Sequence, residues 1–180
     1  MKLERWDRVA FEGLRNVWIG LLNGSLDITK ADYEQLFDLI EQSGCWGPLS
    51  GCFNKPIYGT IVDEQQEVWG IVEIVISKRG SSAWVKMMNL YLTPKIEENT
   101  SAEINVDKRL LVFSSALLGI FGLTKDVAGA DTVKVYGRTE SLVSFLRGVH
   151  SAIEAIFAAI GGIKGVSVSI EGRWLVFRSN

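Results

Sequence analysis

One carboxylate in this 180-residue chain stands where carboxylates are seldom tolerated. Glu73 interrupts residues 68–76, a stretch otherwise apolar on both alternating faces, which is the pattern of a central strand covered on both sides. Burial raises the pKa of a carboxylate toward neutrality, the range in which a general base works. A lone strand glutamate can equally pair with a helix Arg or Lys, or lean out at an opening in the sheet, and do no chemistry. Other catalytic residue types are sparse. The single histidine, His150, falls in a helical stretch, which argues against a histidine dyad and against a multi-histidine metal site. Cys45 and Cys52 bound the segment Cys-Trp-Gly-Pro-Leu-Ser-Gly-Cys, neither Cys-x-x-Cys nor a zinc spacing. Unpaired thiols in a loop are expected there, with a disulfide or a metal site as the alternative. Glu171, in a hairpin turn, reads as solvated, and no Walker loop, Gly-x-Gly-x-x-Gly, Gly-x-Ser-x-Gly or His-Glu-x-x-His occurs.

The elements that must position Glu73 follow from periodicity. Trp6, Val9, Ala10, Gly13, Leu14, Val17, Trp18, Leu21 and Leu22 recur at three- and four-residue spacing opposite Arg5, Arg8, Glu12 and Arg15, predicting an amphipathic helix that Asn23-Gly24-Ser25 ends. Thr29, as N-cap, opens a second helix with the stripe Tyr33, Leu36, Phe37 and Ile40, closed at Ser43-Gly44. Residues 45–56 form a Gly- and Pro-rich loop pinned by Trp46 and Phe53. Strands are predicted over 57–62 and 68–77, flanking the turn 63–66, and over 85–92, giving a three-stranded meander. A helix over 106–123, a strand over 132–136, a helix over 140–160 and a hairpin of 166–170 with 173–177 complete the order. Gly161, Gly162 and Gly165 end the long helix and lead into that hairpin. No strand is expected ahead of the first helix. Because a helical crossover joins parallel neighbours, 85–92 should lie antiparallel to 68–77 and beside a parallel 132–136.

This order resembles the core of the GNAT (N-acetyltransferase) superfamily, and short pieces of sequence carry the likeness. Asn89-Leu90-Tyr91-Leu92-Thr93-Pro94 resembles that family's fourth strand, which ends in an apolar-x-apolar-x-Pro pattern and splays from the next strand. Arg109-Leu-Leu-Val-Phe-Ser114 resembles the start of the helix that bears the family's pyrophosphate motif, Gln/Arg-x-x-Gly-x-Gly/Ala. Arg109 matches, Ser114 matches in part, and Val112 replaces a glycine, where its side chain is expected to shield the backbone amides that would meet a pyrophosphate. In the unit Val133 to Leu146, Arg138 takes the place of the family's asparagine and Phe145 that of its tyrosine acid, so Tyr91, Tyr136 or water must supply a proton. The connection 95–107 is longer than usual for the family. The resemblance covers about two-thirds of the chain in element order. It implies a GNAT-like α/β fold, a mixed twisted sheet flanked by helices on both faces, within one domain over 1–180 (helices 1–44, meander 57–93, helix-strand-helix-hairpin 105–180).

Two functions follow. In one, the chain is an N-acyltransferase using acetyl-CoA or another acyl-CoA, without a metal. The pantetheine arm then pairs with the backbone of Leu90, Tyr91 and Leu92, Arg109 and Ser114 sit near the phosphates, and Glu73 and Tyr91 are the candidate catalytic groups for a small-molecule or protein amine acceptor. In the other, the fold is a non-catalytic interaction or assembly module, for example a subunit of a complex or a virion-associated protein, with a protein as partner. A formal charge of -2 and scattered basic residues give no electrostatic reason to expect nucleic acid or an anionic membrane. The charged start, Met1 to Arg8, lacks a signal-peptide apolar region, and the stretch 110–123 is shorter than the roughly 20 residues a spanning helix needs, so a cytoplasmic location is expected.

Overall fold

In the computed structural model, residues 1–5, 8–22, 27–46, 48–97, 102–160 and 165–179 are described. The meander is present: β2 (Pro56–Val62), β3 (Val68–Arg79) and β4 (Ser82–Leu92) pair antiparallel in sequence order. β5 (Ala130–Tyr136) lies parallel to β4, the pairing expected of the helical crossover, and pairs antiparallel with β7 (Trp174–Ser179), which pairs with β6 (Val166–Glu171). Gly165, at φ 81°, leads into β6, whereas residues 161–164 lie outside the described ones.

A strand absent from the sequence reading completes the sheet. β1 (Lys2–Arg5) runs antiparallel to β2 at the edge, giving the order β1-β2-β3-β4-β5-β7-β6. Four residues are too few for a periodic signal, and only Leu3 is aliphatic. Leu3 docks on α4 (Ala102–Leu123), where any side chain at Gly119 would collide with it.

α4 and α5 (Glu140–Ile160) cover one face of the sheet, enclosing a core that includes Val72, Ile74, Val85, Val112, Phe113 and Leu146. On the other face α1 (Arg8–Leu21) and α2 (Asp27–Ser43) enclose Phe11, Trp18, Phe37 and Ile40 against Tyr58 of β2 and Ile71 of β3. The α1 stripe is the predicted one only in part, since Leu14, Trp18 and Leu22 turn inward as expected but Phe11 joins them in place of Val9 and Val17. Phe11, Leu14, Trp18 and Leu22 are buried, while Val9 and Val17 are 81% and 58% exposed. Two apolar rows at helical spacing run along this helix, and the row with the larger aromatic area turns inward. Trp6 and residues 23–26 lie outside the described ones. Thr29 lies in the first turn of α2, two residues after its start at Asp27, rather than ahead of it.

The cysteines are paired, contrary to the thiols expected. A short helical turn, Leu49–Gly51, brings Cys52 back to Cys45 with Cα atoms 5.6 Å apart. The Cys45 N–H donates to the Pro56 carbonyl at 2.8 Å, fixing the base of the loop, and Cys52 is fully buried. The bend at Pro48 to Gly51, which motif spacing does not encode, makes the approach.

Candidate functional site

Glu73 sits on the face of β3 shared with Ile71, where the α1–α2 cover gives out. In register it faces Tyr58 on β2 and Asn89 on β4. Between the pairs Glu73↔Asn89 and Ile74↔Met87 the register shifts by one, so Met88 is an inserted bulge residue. A bulge reverses the alternation beyond it. Val85 and Met87 join the α4–α5 core, and after the bulge so does Leu90, while Asn89 and Tyr91 turn to the face of Glu73.

The bulge thereby assembles a polar group that the sequence left scattered. Asn89 Nδ2 donates to Glu73 Oε2, and the Tyr91 hydroxyl approaches the same oxygen at 3.4 Å. Arg138 Nη1 reaches Asn89 Oδ1 at 3.4 Å. Among the described residues no helix Arg or Lys pairs with Glu73; its partners are a carboxamide and a phenol, and its place at the end of the helical cover fits the other alternative, a glutamate at an opening in the sheet. Burial, followed by the charge of Glu73, pushes the Tyr91 phenol well above the usual tyrosine range. Tyr58 is also raised, chiefly by burial, with a Ser43 hydrogen bond opposing and the charge of Glu73 adding. Both phenols therefore hold their protons at neutral pH.

On the other side of β4 the sheet splits. The parallel β4–β5 pairing stops at Met87↔Val135, although β4 continues to Leu92. A cleft of about 630 Å³ opens along the freed edge, lined by Asn89, Leu90 and Leu92 of β4, Arg109 and Phe113 of α4, and Tyr136 and Phe145 farther on. The Thr93 N–H donates to the Trp69 carbonyl at 3.1 Å. By the alternation of an antiparallel ladder, Tyr91 then exchanges bonds with Ile71, and Leu90 and Leu92 direct their N–H and C=O groups away from β3. The Leu92 carbonyl accepts a bond from the Tyr33 hydroxyl at 2.8 Å.

Phe113 and Phe145 meet edge to face, centroids 5.1 Å apart, and wall the cleft without filling it. Trp174 is not among the lining residues and packs on Tyr136 with rings tilted 42° and centroids 4.7 Å apart. Of the two residues expected near phosphates, Arg109 lines the cleft, whereas Ser114 is exposed and is not among the lining residues. The shielding role expected of Val112 is overturned. α4 begins at Ala102, so residues 109–114 lie well inside the helix, where amides already bond the preceding turn. Val112 is fully buried beneath β3, its Cγ1 2.9 Å from where a Cβ on Gly70 would stand.

The strand order β2-β3-β4-β5 and the splay of β4 from β5 are those expected from the sequence. The chain has a divergent GNAT-like fold. No protein-family model and no curated protein matches the sequence. Similar solved structures include a probable acetyltransferase, at 10% identity over 95% of this chain and 99% of that one with a TM-score of 0.43. Another is AtaTR bound with AcCoA, at 9% identity over 86% and 80% with a TM-score of 0.45. A third is a histone acetyltransferase HPA2 and related acetyltransferase from Corynebacterium glutamicum, at 9% identity over 98% and 93% with a TM-score of 0.43. These are likenesses of fold; the site rests on the geometry of this chain. Among the described residues, no group of three or more His, Cys, Asp or Glu is placed to hold a metal ion, and no helix is long and apolar enough to cross a membrane.

Sequence reasoning named Glu73, Tyr91 and Arg109 but passed over Asn89 as a site residue and Tyr58 and Tyr33 as its supports. An asparagine near the end of an apolar strand was the one available signal for the first.

Proposed function

We propose that the chain is an N-acyltransferase that takes an acyl-CoA in the cleft between β4 and β5 and an amine on the opposite side of β4. The freed edge of β4 carries this reading, because an extended amide-bearing chain can continue the sheet there through the Leu90 and Leu92 backbone. The cleft has the size and mostly apolar lining of a ligand site. An acyl-CoA bound in it supplies the activated thioester; the remaining work belongs to side chains of this protein. Arg109, at the cleft wall on α4, supplies the cation that meets phosphate oxygens in this reading. Glu73 takes the proton of the attacking amine, its carboxylate oriented by Asn89 and Tyr91. Phe145 has no proton to give a leaving thiolate, and Tyr136, which lines the same cleft, is the phenol available for that step. A non-catalytic module has no need of an open cleft beside a held carboxylate.

The test is Glu73→Gln, assayed for acyl transfer over a panel of amines and for acetyl-CoA binding by calorimetry. Turnover is expected to fall about 10²–10⁴-fold with binding of acetyl-CoA unchanged. A folded variant with full activity would remove Glu73 from the mechanism, and a native protein that binds no acyl-CoA would remove the reading.

A further inference from the structure

Two lysines stand side by side on the sheet face that carries Glu73. Lys86 of β4 and Lys134 of β5 are direct partners in the parallel register, and like charges so placed oppose folding. Both ammonium groups reach one indole, with Lys134 Nζ 4.2 Å and Lys86 Nζ 5.5 Å from the centroid of a Trp84 ring. Lys134 meets Glu171 Oε2 at 3.7 Å, but Arg178 holds the same carboxylate. Lys86 has the neutral Ser77 hydroxyl at 2.9 Å and forms no ion pair among the described residues. Burial and then the charge of Lys134 hold the Lys86 amine below the ordinary lysine range.

An anion lying between the two ammonium groups would relieve such a conflict. Its position is informative. Lys86 faces Val75 across the ladder and Asn89 faces Glu73, so the lysine pair lies two residues along β3 from Glu73 on the same face, about 7 Å at the rise of a strand. Among the described residues the α1–α2 core takes its sheet residues from β2, β3 and β4 and none from β5, and the Lys134 side chain is 13% exposed.

We infer that Lys86 and Lys134, braced on Trp84, form the seat of an anionic group, a carboxylate or a phosphate, carried by the amine acceptor. The acceptor role rests on the acyl-transfer reading; the anion seat does not. The first experiment therefore omits acyl-CoA. The indole N–H resonance of Trp84, assigned with Trp84→Phe, is followed while acetate or inorganic phosphate is added at constant ionic strength. A saturable shift is expected, its affinity falling about tenfold or more in Lys86→Gln and in Lys134→Gln, with Lys86→Arg as the charge-keeping variant that retains it. Whichever anion saturates the shift identifies the headgroup. In acyl transfer, 6-aminohexanoate or 6-aminohexyl phosphate should exceed hexylamine in kcat/KM by about tenfold or more, and Lys86→Gln should erase that preference. No saturable shift with either anion would overturn the seat. Equal use of hexylamine would overturn its role in choosing the acceptor, and anion binding without turnover of any amine would overturn the acyl-transfer reading while leaving the seat.

Discussion

Among the described residues Glu73 forms no ion pair and is held by one carboxamide and one phenol, which in the proposed reaction leaves it to take a proton. The cost falls on Tyr91, whose ionisation beside that carboxylate is suppressed. Its folded-state pKa is raised above the unfolded value near 10, so the linked stabilisation is complete below about pH 10 and is lost as pH rises through the folded-state pKa. At about pH 11, with native circular dichroism, Tyr91→Phe should leave the tyrosinate absorbance at about 295 nm unchanged, because the replaced phenol is still protonated there. Loss of one tyrosinate's absorbance would show an ordinary phenol. Val112 gives the second residue-scale test. Since it packs on Gly70 rather than over free amides, Val112→Ala should destabilise by about 2 kcal/mol in chemical denaturation without strengthening acetyl-CoA binding. Stronger binding from that change would restore the shielding role.

At the scale of elements, long periodic segments were legible and short or irregular ones were not. The alternation and crossover of β3, β4 and β5 predicted their pairing because each buries a face that a wrong register would expose. β1 was missed because a four-residue edge strand has its inward side set by one residue, Leu3, and by a small partner on another element, Gly119. The bulge at Met88 is one extra apolar residue beside Met87, between Lys86 and Asn89, which strand periodicity does not single out, so Glu73 and Tyr91 were found separately and their meeting through Asn89 was not. The disulfide was hidden for a related reason, since its spacing matches no motif and its closure depends on the turn between the cysteines. That bond crosslinks a short loop, and by the loop-entropy relation its removal costs about 2–3 kcal/mol. Cys45→Ser with Cys52→Ser should therefore melt about 5–10 °C below the oxidised protein, and reductant should lower the native Tm by a similar amount. Equal melting temperatures with and without reductant would mean that the bond contributes nothing or that the thiols are free.

For the molecule as a whole, the two faces of the sheet divide the work. α4 and α5 build the larger core and the far walls of the cleft, while α1 and α2 cover only the β2 to β4 half of the opposite face and end their cover near Glu73. β4 belongs to both sides, its backbone facing the cleft and its Asn89 and Tyr91 side chains facing the carboxylate. In the proposed reaction the acyl group and the amine would come from these two sides and meet at this strand. If the cleft takes the cofactor, the folded state is stabilised by mass action, by about 2.7 kcal/mol when acetyl-CoA is present at a hundred times its dissociation constant. For a domain of this size that corresponds to a Tm about 5–10 °C higher. Leu110, 42% exposed on the cleft wall, offers the control, because Leu110→Trp adds bulk to the cleft from a position with room for it. The variant should fold and melt near the native protein without ligand yet gain little from acetyl-CoA. An equal gain in both proteins would place the ligand elsewhere, and no gain in the native protein at millimolar acetyl-CoA would deny the cleft its cofactor.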